Sequence, residues 1–283
     1  MPPVHESVIL CYPAISKIAK ADINVYQYTE SICATQLKYQ YDLLLHVLKT
    51  HKIDYKMLPA STPDSIFMQD PFIITPTHIV IGRFKNQLRI EETKMIEKHL
   101  RDINIGKVRQ VYKIKRGYLE GGDYLYHNNT TFIMAGQRTS RLAIRDMMYA
   151  DVFGTPKIAR ITPNKSSTDP MKKHLDLILG FIDNVAVLWS GAKTYLVDVF
   201  DKAGKQIASL PLEHYLKNLG YRIFEVSNTE QQMYSCNFVC FDKIVLAQNP
   251  RLADATKKQV IVMSVSEPNK MGGGLHCLVK TIY

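Results

Sequence analysis

Apolar and polar positions along this chain repeat on one plan: a pair of apolar strands, a helix with one apolar face, then a further short strand. FIITPTHIVIGRF (72–84) is followed by RIEETKMIEKHLRD (89–102) and VRQVYKI (108–114). DYLYHNNTTFIMAG (123–136) leads to SRLAIRDMMYADVFG (140–154) and KIARIT (157–162). LDLILGFIDNVAVLWSG (175–191) leads, past an insertion at 193–209, to LEHYLKNLG (212–220) and RIFEVS (222–227). NFVCFDKIVLAQ (237–248) precedes PRLADATKKQ (250–259), predicted helical, and VIVMSVS (260–266). Near the N-terminus, LKYQYDLLLHVLKTH (37–51) and DYKML (54–58) fit the same plan. In that first helix Leu37, Tyr41, Leu44, Leu45 and Leu48 fall at helical spacing and make one apolar face.

The period supports one architecture. Ile79, Phe132 and Val185 are each 53 residues apart, and Ile244 follows 59 later. A unit of this length cannot bury its own apolar face and must stack against copies of itself. About five copies close into a ring, an α/β propeller with helices outside and strands lining a central channel. Short strands that alternate or run apolar suit such burial. Residues 1–283 then form a single domain. The competing expectation is an ordinary α/β domain with coincidental spacing. In a ring, loops from the strand ends converge at the centre, so motifs far apart in sequence can share one pocket.

Composition narrows the setting. Hydrophobic residues make up 46% of 283, enough for a large core and against disorder. The cysteines (Cys11, Cys33, Cys236, Cys240, Cys277) form no disulfide framework, and no second pair completes a zinc site around Cys236 and Cys240. Free thiols, a reducing cytoplasmic setting and no metal are expected. The N-terminus MPPVHESVIL lacks the pattern of a signal peptide, and no apolar run reaches membrane-spanning length. The formal charge of +10 comes from scattered lysines and is read as a solvated surface; no aromatic RNA-binding motif accompanies it.

The chemistry sits in short motifs spread along the chain: PDSIFMQD (63–70), LEGGD (119–123), GQRT (136–139), HLD (174–176) and MGGGLHC (271–277). A thiol, a histidine and several carboxylates are the groups that a covalent reaction on a small cationic substrate requires. Glycines before Cys277 let the backbone approach a ligand closely. HLD opens an apolar stretch; as a strand, it would put His174 and Asp176 on one face, while His276 would point away from Cys277.

These motifs, in this order, resemble the guanidino-modifying enzymes: arginine deiminases, agmatine deiminases, dimethylarginine dimethylaminohydrolases and amidinotransferases. The resemblance covers most of the chain and implies the fivefold pseudosymmetric α/β propeller (pentein) fold and no cofactor. It implies Cys277 as the nucleophile, since a thiolate is the strongest common protein nucleophile at neutral pH. It implies His174 as general acid and base. Glu120 and Asp70 match the carboxylates that grip the guanidinium through forked hydrogen bonds. Asp64 matches a further acid near the substrate backbone or supporting Asp70, and Asp123 a loop support. Arg89 and Arg138 match the arginines that bind a substrate carboxylate. Asn237 matches a structural asparagine.

Departures from the family pattern bear on the substrate. Dimethylargininases carry lysine where Asp176 stands, whereas HLD is the form of arginine deiminases and amidinotransferases. An added carboxylate favours an unmethylated guanidinium. Gln69 and Gly136 also depart from common forms, and GGGLHC is similar to agmatine deiminases and amidinotransferases. The expected function is cysteine-dependent hydrolysis of the guanidino group of free arginine or a small derivative, giving citrulline through an S-alkylthiouronium. The alternatives are an amidinotransferase, a dimethylarginine dimethylaminohydrolase, and, outside enzymes, a ribosome- or RNA-binding propeller. The expected partner is thus a small guanidino molecule rather than nucleic acid or membrane, and the resemblance also brings in a homodimer.

Overall fold

Each repeat folds into a blade in which a hairpin supplies an inner and a middle strand and a third strand runs parallel outside them. The structure, a computed structural model, describes residues 7–99, 110–164 and 173–282. β1 (Ser7–Cys11) has β2 (Asp54–Leu58) parallel beside it. β3 (Phe72–Ile74), β4 (His78–Ile81) and β5 (Gln110–Lys113) make the second blade. β6 (Tyr124–His127), β7 (Thr130–Met134) and β8 (Lys157–Thr162) make the third. The fourth contains β9 (Leu179–Ile182) and β10 (Val185–Trp189). The chain then leaves through β11 (Leu196–Asp201) and β12 (Gln206–Pro211) before β13 (Arg222–Val226) returns beside β10. β14 (Val239–Cys240), β15 (Ile244–Ala247) and β16 (Gln259–Val262) form the fifth. Finally β17 (Lys280–Ile282) pairs antiparallel with β1 and becomes the inner strand of the first blade. The two chain ends thereby close a ring of five sheets.

Local sequence explains much of this. In the β6–β7 hairpin Asn128 and Asn129 both have positive φ, the conformation that a two-residue turn needs and that asparagine tolerates. Ile79, Phe132, Val185 and Ile244 lie on the four middle strands β4, β7, β10 and β15, and all are buried. The helix Ala34–Thr50 buries Leu37, Tyr41, Leu44 and Leu48 against the main core, while Leu45 is half-buried. Each such fully buried aliphatic side chain stabilises the fold by about 1.5–3 kcal/mol.

Three elements differ from the sequence reading. The stretch 193–209 becomes the β11–β12 hairpin, and β11 pairs antiparallel with β8, extending the third blade to five strands at its outer edge. The expected helix at 250–259 is a 3-10 turn, Pro250–Ala255, with Asn249 accepting from the Arg251 amide; strand pairing takes over at Gln259. HLD is a 3-10 turn rather than a strand, and β9 begins only at Leu179. The helix expected at 89–102 is present as Ile90–His99, and the stretch 100–109 lies outside the described residues. Among the described residues no helix is long and apolar enough to cross a membrane.

Candidate active site

The five inner strands begin at one end of the ring, and the turn before each carries the chemistry. Asp70 precedes β3, Glu120 and Asp123 precede β6, His174 and Asp176 precede β9, Asn237 precedes β14, and Cys277 precedes β17. The turns are stitched to one another across blades. The Gly121 amide donates to Asp70 O (2.8 Å), and the Gln69 amide to Cys277 O (3.1 Å). Asp123 Oδ1 accepts from the Leu175 amide (3.2 Å), and Asn237 Nδ2 donates to Asp176 O (3.2 Å). Fivefold repetition thus delivers a histidine, a thiol and four carboxylates to one small region.

One group there centres on His174. Its Nε2 lies 3.1 Å from Glu120 Oε2, and its Nδ1 lies 3.6 Å from Asp70 Oδ1. Gly122 makes this possible: a Cβ there would fall 2.6 Å from His174 Nδ1. All three side chains are buried. Burial alone would pull the histidine down, but the Asp70 charge and the Glu120 hydrogen bond overcome it and lift His174 to about 9. Burial would raise Glu120 and Asp70. His174, with Arg138 beside Glu120 and Arg89 beside Asp70, reverses the sign and holds both below the usual carboxylate range. Burial outweighs the His174 charge at Asp123 and pushes it to about 7.

The second group centres on Cys277, in the short helix Leu275–Leu278 after the glycines. Asp176 Oδ2 lies 3.6 Å from Sγ, and Asn237 Nδ2 lies 3.3 Å from Sγ. Asn237 Oδ1 accepts from the amides of His276 (2.9 Å) and Cys277 (3.3 Å), so this asparagine fixes the turn as well as touching the sulfur. Burial, then the Asp176 and Asp70 charges, push the thiol well up; hydrogen bonds from the turn and from Asn237 oppose them.

The structure reassigns some of the expected roles. His174 and Asp176 do not share a strand face; the 3-10 turn aims His174 at Glu120 and Asp70, and Asp176 at Cys277 and His276. Arg89, expected to meet a substrate carboxylate, is buried with its donors committed. It forks onto Glu92 (2.8 and 2.9 Å) and binds Asp70 Oδ2 at 2.7 Å. The charge it would need for a ligand is spent on orienting Asp70. Asp64 accepts from Tyr28 Oη (2.7 Å), and the Arg89 guanidinium reaches its main-chain oxygen (3.5 Å). Arg138 alone of the two arginines is part-exposed, 3.3 Å from Glu120 Oε1. His276, placed away from the site by a strand reading, has its Nδ1 2.8 Å from Asp176 Oδ2. Its position beside Cys277 was the available signal, hidden by the assumption of a strand.

Asp70, Glu120 and His174 each offer one atom within 4.8 Å of the others, so a compact cation can sit among them. Two carboxylates and a flat cluster suit a guanidinium, whose N–H donors need several acceptors in one plane. On the other side of this cluster the channel widens into a chamber of about 1090 Å³. Ile74, Leu125, Phe181, Val239 and Thr281 line it, one from each inner strand. It opens among the hairpin turns, at the opposite end of the inner strands from Asp70 and Glu120.

This ring, with its acidic cluster and adjacent thiol, defines a guanidino-modifying enzyme of the pentein superfamily. The family model for arginine deiminase matches residues 13–283. The chain belongs to that family, whose members are hydrolases of carbon–nitrogen bonds in linear amidines. It is 24% identical over 246 residues to N(G),N(G)-dimethylarginine dimethylaminohydrolase of Pseudomonas aeruginosa, covering 84% of this chain and 85% of that one. A substituted form of a dimethylarginine dimethylaminohydrolase from Pseudomonas aeruginosa, complexed with citrulline, superposes with TM-score 0.74 at 20% identity, over 98% of this chain and 99% of that one. The N-terminal domain of ArgZ, an arginine dihydrolase of Cyanobacteria, superposes with TM-score 0.77 at 15% identity, over 99% and 98%.

Proposed function

We propose that this protein is a cysteine-dependent hydrolase of the guanidino group of free arginine or a small arginine derivative, with citrulline as the product. The observation that carries the reading is the meeting of Cys277 with Asp176, and of His174 with Glu120 and Asp70, at one end of the channel. The guanidinium lies among Asp70, Glu120 and Asp176, and its charge offsets the carboxylates that hold the thiol protonated. Thiolate sulfur adds to the guanidinium carbon. His174 then passes a proton to the departing nitrogen, the C–N bond breaks, and ammonia or an alkylamine leaves an S-alkylthiouronium. His174 next takes a proton from water, the hydroxyl adds to the same carbon, and the C–S bond breaks as the hydroxyl proton is released to solvent, giving citrulline and the thiolate. Proton transfers of this kind contribute roughly 10²–10⁴-fold, and alignment of sulfur with carbon contributes as much or more.

Asp176 decides the preferred substrate. Its Oδ1 is buried without a hydrogen-bond partner among the described residues and is reserved for an N–H of the ligand. A dimethylated nitrogen, which has no N–H, cannot satisfy it, at a cost of about 1–3 kcal/mol. Arg138 supplies the fork for a substrate carboxylate. The test is release of citrulline from L-arginine and asymmetric dimethylarginine, and of N-carbamoylputrescine from agmatine, by the native protein and Cys277→Ala. Citrulline from arginine, absent with Cys277→Ala, is expected. Turnover of the methylated substrate alone would overturn the role of Asp176. Transfer to an added amine such as glycine, without hydrolysis, would replace water by that amine as the acceptor.

A further inference from the structure

His276 makes a closer contact with Asp176 than the sulfur does. Asp176 Oδ2 is 2.8 Å from His276 Nδ1 and 3.6 Å from Cys277 Sγ, so one oxygen serves both. The other oxygen, Oδ1, is buried and has no hydrogen-bond partner among the described residues. The backbone that carries the ring is anchored, because the His276 amide donates to Asn237 Oδ1. Its side chain is 15% exposed against 2% for that of Asp176, and it faces the chamber. His276 is therefore the contact between this carboxylate and the far end of the channel.

We propose that His276 is the positioning residue of Asp176: it fixes Oδ2 beside the sulfur, keeps Oδ1 free for a guanidinium N–H, and through its hydrogen bond draws the carboxylate charge away from the Cys277 thiolate. The inference rests on Cys277 as the nucleophile of the reaction proposed above. Two negative charges at the sulfur–carboxylate separation repel strongly in a buried site. A hydrogen bond donated to the same oxygen draws part of that charge away from the sulfur. The other charges around the pair belong to different elements. Asp70 faces the sulfur from the second blade and adds to the repulsion. Lys280 lies at the inner end of the chamber, and burial pulls it down to about 7 against Asp70 and Asp176. Farther out, Lys258 is paired with Asp183 (2.8 Å), His127 is held near 4 by burial, and Asp242 and Lys243 stand at the hairpin turn with His51 and Lys52 opposite.

Alkylation of Cys277 by iodoacetamide, followed by mass spectrometry across a pH series, reads the thiolate directly and needs no turnover. His276→Gln stays polar but carries its amide one bond farther out than Nδ1, so the 2.8 Å contact with Asp176 is lost. It is expected to move the alkylation midpoint up by about one pH unit, about tenfold slower labelling at neutral pH. Asp176→Asn in the His276→Gln background removes the opposing charge and is expected to bring the midpoint back. Thermal denaturation checks that each variant folds, and His276→Leu stands in should the glutamine variant not fold. An unmoved midpoint in the single variant, or a double variant as slow as the single, overturns the assignment. If no guanidino compound is hydrolysed yet the midpoint moves as stated, the function proposal falls and the role of His276 stands.

Discussion

Replacing Glu120 by glutamine should release His174 from its raised pKa. In the native protein the Glu120 carboxylate accepts from Nε2 at 3.1 Å, and Asp70 lies 3.6 Å from Nδ1, in a cluster shielded from water. The rise from 6.5 to about 9 corresponds to roughly 3 kcal/mol of preference for the charged ring. That preference is shared among Asp70, Glu120 and Asp123, against the cost of burial. Losing Glu120 should therefore lower the His174 pKa by at least about one unit, or roughly 1.4 kcal/mol. The sign for stability follows from linkage. A folded pKa above the unfolded one stabilises fully below about pH 6.5, and the contribution is lost as pH rises through about 9. Urea unfolding of the native protein should thus weaken across that window, and Glu120→Gln should flatten the decline. The imidazole carbon shift of His174, followed by NMR through the same range, gives the pKa itself. An unchanged His174 titration in Glu120→Gln would refute the account, because no other group hydrogen-bonds that ring at comparable distance among the described residues.

Gly122→Ala should act on the same ring by sterics: its Cβ would lie 2.6 Å from Nδ1 and 2.8 Å from Cγ of His174, so the ring must shift. Displacement by about 1 Å should cost about a hundredfold in kcat with little change in Tm, measured by steady-state kinetics and thermal melting. Arg89→Leu should strip the cation from Glu92 and Asp70, both buried, and destabilise by about 3–5 kcal/mol in urea unfolding. Burial already lifts Glu92 to about 7, so adding Glu92→Gln to Arg89→Leu should recover part of that loss; no recovery would show that the loss is one of packing.

The repeat was legible because strand pairs and helices leave periods in hydrophobicity that are local properties of the chain. Ile79, Phe132, Val185 and Ile244 sit on equivalent middle strands, as their spacing implied. The carriers of candidate chemistry were legible for a related reason: LEGGD and HLD are short turns whose residue types are needed in place. Their directions were not legible. Whether His174 and Asp176 share a face depends on whether the backbone at 174–177 is a strand or a 3-10 turn, and an apolar stretch does not distinguish these. Arg89 stands at the start of a charged helix, which in sequence resembles a solvated position. Its burial comes from Asp70 and Glu92 closing on it and from the Phe84 ring beneath its guanidinium. The β11–β12 hairpin has strand character in sequence, but its attachment to β8 is a choice among exposed edges made by the assembled ring.

By itself the sequence determined the number of repeats, the apolar faces that force them to stack, and which residues carry titratable and nucleophilic groups. Only the tertiary structure decided which carboxylate meets which cation, that Arg89 is enclosed, and that one oxygen of Asp176 lies between His276 and Cys277. Periodicity is set by neighbours in the chain, whereas pairing is set by ångström-scale distances between groups more than a hundred residues apart, as Asp176 and Cys277 are (|i−j| = 101). Those distances exist only once the ring has closed.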